Sequence, residues 1–251
     1  MGSVINEINC PHCSAPLKFN PGEIVVLCSY CGYTSVIDTG QIFTLERAML
    51  LNPYNPNQAV EQLREWMRSG FLKPNDLANR SKITENSLRY LPFWIVPMKV
   101  NTSFKGIFER MGPSLTKEGR IEKNYDWLIL GRRGSIFPTR EYDVPLTGKI
   151  PFDFRRIESF AQVLNSELSQ ADAVDMAKQE VSLHHEYLAK QDVDRIIEIG
   201  HEIDVEEPTL LHAPIWFFSY EYHGGNYLVF LDGVTGSVIK GDIPPTEFKL
   251  L

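Results

Sequence analysis

Two Cys-x-x-Cys pairs near the start of the chain constrain its fold more than any other feature. Cys10 and Cys13 form the first pair, Cys28 and Cys31 form the second, and no cysteine follows in the 251-residue sequence. Such clustering suits one metal site better than a set of disulfides. Predicted short strands on either side of a turn at residues 20–22 would bring the pairs together. We therefore expect a zinc ribbon in which all four thiolates hold one Zn²⁺.

The predicted zinc site is structural, because four thiolates saturate tetrahedral zinc and leave no position for water. A redox-active dithiol pair or four free thiols are the alternatives. His12, inside the first pair, is expected to face solvent. The ribbon domain, residues 1–40, carries one lysine and three acidic residues. This charge disfavours direct nucleic-acid binding by the ribbon, since proteins that bind phosphates present clusters of Lys and Arg.

The rest of the chain contains a weak internal repeat. A Pro-x-Trp motif precedes a β-rich stretch at Trp94 and again at Trp216, and an Asn-Tyr pair with a following Gly-x-x-Gly-Ser turn recurs at Tyr125 and Tyr227. These matches predict two copies of one α+β unit, with hairpin turns at Gly134 and Gly236 and with both tryptophans in hydrophobic cores. Because the motifs are short, chance is the alternative explanation.

Each copy of the repeat is accompanied by a predicted helix. Asn55 and the proline after it form a helix start, and Ser169 begins a second helix with a capping-box pattern. An alternating pattern over residues 197–205 predicts a strand with one buried face. The predicted fold class is therefore α+β, with the ribbon followed by two similar units of a helix on an antiparallel sheet, over residues 41–150 and 151–251.

The first unit contains an insertion. Trp94 precedes Tyr125 by 31 positions, whereas Trp216 precedes Tyr227 by only 11. The extra residues fall near 104–123 and predict a hairpin or loop, which is a common place for a binding surface; a surface elaboration without function is the alternative. The candidate partner-binding residues are the basic side chains in and after it: Lys117, Arg120, Lys123, Arg132 and Arg133.

The distribution of charge bears on which partners the chain could bind, and its motifs bear on whether it is an enzyme. Residues 41–140 carry a net charge of +7 and residues 141–251 a net charge of −12, so the basic part could meet an acidic partner or a second copy. We find no phosphate-binding loop, metalloprotease motif or nucleophile elbow, and so expect no enzymatic activity. His184, His185 and Glu186 are expected to be surface or packing residues, because neighbours on a helix point about 100° apart.

The segment from Cys10 to Gly32 resembles TFIIB-type zinc ribbons. Residues 88–106 resemble the strand that follows such a ribbon in prokaryotic proteins labelled primosomal-helicase-like, and residues 214–238 are similar to PepSY and cystatin-like units. This resemblance implies a zinc-dependent ribbon and an adaptor role, with a membrane-remodelling or membrane-scaffold protein as one kind of partner. It brings no catalytic residues.

We therefore expect a non-enzymatic adaptor or scaffold that binds a protein and carries one structural Zn²⁺. A transcription- or replication-associated nucleic-acid-binding protein is the alternative, and an enzyme is a third hypothesis. The sequence shows no secretory signal and no apolar stretch of the roughly 20 residues that a spanning helix needs, so the expected location is cytoplasmic. The oligomeric state is left open.

Overall fold

The computed structural model describes most of the chain after the predicted ribbon and part of the ribbon itself. The described residues are 6–10, 15–19, 25–27, 34–36, 47–70, 72–110 and 112–245. Within these ranges the fold is mixed α+β, with three α-helices and one large sheet of nine strands. Two small antiparallel sheets lie in the N-terminal region, formed by β1 (Asn6–Asn9) with β2 (Pro16–Phe19) and by β3 (Val25–Leu27) with β4 (Thr34–Val36).

The other elements lie between residues 47 and 241, and none of the described helices is long and apolar enough to span a bilayer. In chain order they are β5 (Arg47–Met49), α1 (Pro56–Arg68), α2 (Leu77–Arg80), β6 (Lys82–Phe108), β7 (Leu115–Leu130), β8 (Ile150–Pro151), β9 (Gln162–Val163), α3 (Gln170–Asp192), β10 (Arg195–Val205), β11 (Thr209–Tyr222), β12 (Gly225–Asp232) and β13 (Val238–Gly241).

Both main helices begin at the predicted caps. The Asn55 side chain accepts a hydrogen bond from Gln58 N at 3.0 Å, and Asn55 N donates to the Gln58 side chain at 2.9 Å. Ser169 and Asp172 exchange the same pair of bonds, at 3.1 Å each, at the start of α3. Each capping box satisfies backbone donors that the helix itself leaves unpaired. The two predicted helix starts are confirmed.

Two compact units are assembled from interleaved segments rather than from consecutive ones. The first contains the described residues within 1–92, 134–166 and 211–251, and the second those within 93–133 and 167–210. The sequence predicted consecutive units over 41–150 and 151–251. The difference arises because β6 is 27 residues long, against the 3–10 residues of an ordinary strand, and contributes to both units.

The first unit packs α1 on a sheet that contains both antiparallel and parallel strand pairs. β11 pairs antiparallel with β12, β12 pairs with β13, and β9 lies parallel to the start of β6. Trp216 is 1 % exposed, and its Nε1 donates to the Asn52 side chain at 3.0 Å. Its predicted core position is confirmed. The α1 side chains in this core lie at helical spacing: Ala59, Leu63 and Met67.

The second unit places α3 on one face of a three-stranded antiparallel sheet. The later part of β6 is the central strand, with β7 on one side and β10 on the other. Trp94 is 3 % exposed in this unit, so its predicted core position is also confirmed. The buried face of α3 is lined mainly by small side chains, which permit close approach to the sheet: Ala173, Ala177, Val181, His185 and Ala189.

The two hairpins share one register. In the first hairpin Trp94 pairs with Ile129 and Met98 with Tyr125; in the second, Trp216 pairs with Leu231 and Tyr220 with Tyr227. The second hairpin closes at a two-residue turn, where His223 and Gly224 have φ of 49° and 80°, as a type I′ turn requires.

The predicted insertion lengthens both strands of the first hairpin. Pairing there continues to Phe108 and Leu115, so residues 104–108 and 115–123 are strand. A large part of β6 and β7 thus has no counterpart in the other hairpin, and we call residues 101–108 and 115–122 the hairpin extension.

Candidate functional site

Cys10 is the one predicted zinc ligand among the described residues. It is 1 % exposed and packs with Leu17 and Val26, and its backbone N–H donates to Ala15 O at 2.8 Å. The other predicted ligands lie outside the described residues: Cys13, Cys28 and Cys31. In the part of the chain that the structure describes, no group of three or more His, Cys, Asp or Glu side chains is placed to hold a metal ion. The four-cysteine zinc site stays a prediction.

Three of the five candidate partner-binding residues interact with acidic groups of the second unit. Lys117 Nζ lies 3.1 Å from an Asp192 carboxylate oxygen. Arg132 Nη1 lies 2.7 Å from Glu167 Oε1, and Arg133 N donates to Glu167 Oε2 at 2.8 Å. These contacts reduce the positive potential that an unpaired basic cluster would present to phosphates.

The other two candidates lie on opposite faces of β7. Arg120 Nε donates to Asn101 Oδ1 at 2.7 Å, on the sheet face turned away from α3. Lys123 pairs with the buried Val100 and so lies on the α3 side. With about 3.3 Å per strand residue, Lys117 and Lys123 lie roughly 20 Å apart along β7, and Arg132 and Arg133 come after the strand has ended. The structure does not bring the five residues together in one basic patch.

The sheet face opposite α3 in the second unit is lined mainly by polar and charged side chains. Side chains alternate between the two faces of a strand, so residues of β6 turned away from α3 pair with residues of β7 and β10 on the same side. We call this surface the open face. Its members are Lys99, Asn101, Ser103, Lys105, Glu118, Arg120, Glu122, Glu198, Gly200, Glu202 and Asp204.

Ion pairs cross the open face between β6 and β7. Lys105 Nζ lies 2.8 Å from Glu118 Oε1, and Lys99 Nζ lies 3.3 Å from Glu122 Oε1. The hydrogen bond with Glu118 raises the pKa of Lys105 and lowers that of Glu118 itself. Both pairs are exposed, so each adds little stability. The acidic side chains of β10 meet fewer basic partners, and the open face carries three basic against five acidic residues.

Two shallow grooves run along the open face. One, with a volume of about 520 Å³, is lined by residues such as Ser103 and Gly200. The other, of about 410 Å³, is lined by residues such as Asn101 and Asp204. Both lie on strands and are wide open, a form that suits an extended segment or a protein surface better than an enclosed small molecule.

A polar cluster lies on the opposite side of the same sheet, under α3. Thr102 and His185 are fully buried, and Thr102 Oγ1 lies 2.8 Å from Nδ1 of His185 and 2.8 Å from Nδ1 of His201. Tyr125 Oη lies 3.0 Å from Nε2 of His185. Four side chains from β6, β7, α3 and β10 therefore form one hydrogen-bonded chain, which we call the relay cluster.

Burial shifts the acid–base properties of the relay cluster. Burial first, and then repulsion from His184, His201 and Lys123, lower the pKa of His185 to about 4. Burial also lowers the pKa of His201, an effect that Glu186 partly offsets. Both imidazoles are therefore neutral at neutral pH.

The tip of the hairpin extension is attached to the end of α3 by Arg110. Its Nη1 donates to Gln191 O at 2.9 Å and its Nη2 to Lys190 O at 2.8 Å, at the end of the helix where cations are favoured. Its Nε lies 2.6 Å from Asp194 Oδ1. The pKa of Asp194 is lowered by the hydrogen bond from Glu109 N and then by Arg110.

The relay cluster was missed by the sequence analysis. The sequence marked His184 and His185 but offered no partner for them, since Thr102 lies 83 positions from His185. A signal was present in the alternating pattern that places His201 in a strand, with its side chain on the apolar side. The prediction of surface or packing histidines is incomplete, because His185 is buried in a specific hydrogen-bonded chain.

Comparison with known proteins assigns no function to this chain. No protein-family model, no curated protein and no solved structure matches the chain. The resemblances to ribbon proteins and to PepSY or cystatin-like units remain expectations from the sequence motifs.

Proposed function

We propose that this chain is a non-enzymatic, zinc-containing adaptor that binds a protein partner through the open face of its second unit. The observation that carries the proposal is the hairpin extension. It adds length to two strands, is held to α3 on one side, and displays paired and unpaired charges on the other.

Charge and shape favour a protein over a nucleic acid as the partner. Lys99, Lys105 and Lys117 all lie within ion-pair distance of carboxylates, and the open face has a net negative charge. A partner surface with basic and polar side chains complements this arrangement. A membrane-remodelling or membrane-scaffold protein, the class implied by the sequence resemblance, is the first kind of partner to test.

Reversing the charge of the β10 edge of the open face is expected to abolish capture of the partner. In the variant Glu202→Lys/Asp204→Lys, two lysines face a basic partner surface, and we expect at least a roughly tenfold loss of bound partner. The measurement is affinity capture from the extract of the source cells with nuclease-treated samples, quantified by mass spectrometry. A photo-crosslinking residue at Ser103 would identify the protein in direct contact.

A matched control changes the total charge by the same amount elsewhere. The variant Glu61→Lys/Glu65→Lys alters two exposed residues of α1 in the first unit and is expected to retain the partner. Equal loss in both variants would mean that net charge, rather than the open face, determines binding. Capture of nuclease-sensitive material alone would replace the proposal with the nucleic-acid alternative.

We also propose that Cys10, Cys13, Cys28 and Cys31 hold one structural Zn²⁺. Purified protein is expected to contain one zinc per chain by elemental analysis, because a four-thiolate site is closed and tight. Cys28→Ser/Cys31→Ser should lose it, whereas His12→Ala should keep it. Zinc retained in the double serine variant would contradict the assignment of these ligands.

A further inference from the structure

The relay cluster contains one hydroxyl group that serves two imidazoles. Thr102 Oγ1 lies at 2.8 Å from Nδ1 of both His185 and His201. A hydroxyl has a single proton to donate and two lone pairs that accept. It therefore cannot donate to both nitrogens at once, so at least one of the two Nδ1 atoms must carry a proton for both hydrogen bonds to form.

In two neutral arrangements the Thr102 hydroxyl both accepts one of these hydrogen bonds and donates the other. In one, His201 Nδ1–H donates to Thr102, Thr102 donates to His185 Nδ1, and His185 Nε2–H donates to Tyr125 Oη. In the other, every bond is reversed, so that Tyr125 donates to His185 and Thr102 donates to His201. In both arrangements one histidine carries its proton on Nδ1 and the other on Nε2.

The hydrogen bonds of the relay cluster can all form when one histidine is protonated, but not without strong repulsion when both are. If His185 is protonated, it donates to Thr102 and to Tyr125, and Thr102 still donates to His201. If both are protonated, two cations donate to one oxygen, and their Nδ1 atoms lie at most twice 2.8 Å apart. Repulsion at this separation, in a site where His185 is fully buried, opposes the closed arrangement.

We propose that Thr102, His185 and His201 form a proton-operated latch that holds the hairpin extension between α3 and β10 and releases it when both histidines are protonated. The latch residues come from β6, α3 and β10, so its opening separates the elements that position the open face. That the latch controls partner binding rests on the function proposed above; the latch itself does not.

The charged and titratable groups around the latch determine whether acid opens or closes it. Lys123 and Tyr125 face it from β7, and His184 and Glu186 from α3. Glu186 lies 2.7 Å from Lys190 Nζ, which limits its ability to stabilise a protonated His201. Because both latch histidines have a lowered pKa when the latch is closed, an open state binds more protons below about pH 6.5. Acidification therefore favours release.

The latch can be tested on the full chain by long-range ¹H–¹⁵N spectra of its imidazole groups. Between about pH 8 and pH 7, we expect one of the two histidines to carry its proton on Nδ1 and the other on Nε2. Finding both protons on Nε2 would overturn the proposal, since Thr102 could not then satisfy both rings. This measurement needs no variant and no partner.

Two substitutions at Thr102 separate the hydroxyl from the volume of the side chain. Thr102→Val removes the bridging hydroxyl and Thr102→Ser retains it. At neutral pH we expect amide exchange in β10 to be about tenfold faster in the valine variant than in the serine variant. Equal exchange in the two variants would overturn the latch.

Partner capture then distinguishes the two proposals. Loss of capture near pH 5 together with retained capture at neutral pH is the expected result for a latch that controls the open face. Capture that fails at every pH while the imidazole spectra behave as expected would overturn the adaptor function and leave the latch standing. Unchanged capture near pH 5 would overturn the control of binding by the latch.

Discussion

Replacing Gly106 by alanine is expected to lower the free energy of unfolding by about 2 kcal/mol, a typical cost of overpacking a core. A Cβ at this position would lie 2.5 Å from Val193 Cγ2 and 2.7 Å from the backbone oxygen of Arg195. Because a backbone oxygen cannot rotate away, β10 would have to move from its place beside β6. Urea unfolding followed by far-ultraviolet circular dichroism would measure the loss.

A neighbouring glycine provides the matched control. A Cβ on Gly200 would meet only Ser103 Oγ, at 3.7 Å, which is an ordinary contact on the open face. Gly200→Ala is therefore expected to be neutral or to stabilise by about 0.5 kcal/mol, since alanine restricts the unfolded chain. Equal destabilisation by both substitutions would show that β10 does not pack against Gly106 as the structure places it.

The local features of this fold could be predicted from sequence because their determinants are adjacent in the chain. Asn55 with Gln58 and Ser169 with Asp172 lie three positions apart, and each pair forms its capping box. The hairpin turn predicted at Gly236 joins β12 and β13, whereas the one predicted at Gly134 is not formed, since β7 pairs only with β6 among the described strands. The interleaving of the two units could not be read in this way, because a run of β-forming residues does not show where a 27-residue strand passes from one unit to the next.

The relay cluster shows the same limit for a functional site. His185 is recognisable as a helix residue, but its burial depends on the face that α3 turns to the sheet, and its partners depend on strand register. Thr102 and His201 are themselves a register pair of β6 and β10. A one-residue change in that register would move Thr102 to the open face. Only the pairing of distant strands creates the cluster.

The first hairpin differs from the second in its hairpin extension. The second hairpin turns at His223 and Gly224, directly after the part that matches the first. Thr102 and the exposed charges from residue 101 onward lie on the extension, beyond that matching part. The open face and the latch thus depend largely on the same added residues, which is why we assign binding and its control to one unit.

A second buried histidine gives the first unit its own response to acid. His212 is 1 % exposed, and its Nε2 lies 3.1 Å from Leu164 O, an acceptor, so Nε2 carries the proton. Its Nδ1 is buried and has no hydrogen-bond partner among the described residues. Burial lowers the pKa of His212 to about 4, with a smaller contribution from the positive charge of Arg47.

Acidification is therefore expected to destabilise the protein through His212. Since the folded pKa lies below the unfolded value of about 6.5, the stabilisation is fully present above pH 6.5 and is lost as the pH falls toward 4. At about pH 4.5 this single group accounts for a loss of about 2.5 kcal/mol in the free energy of unfolding.

His212→Gln retains an N–H donor for Leu164 O without a titrating ring, so its urea midpoint should fall less between pH 7 and pH 4.5 than that of the unmodified chain. His223→Asn, at the exposed hairpin turn, should keep the full dependence. An equally steep fall in His212→Gln would contradict the assignment and leave the acid response to other groups, His185 first among them.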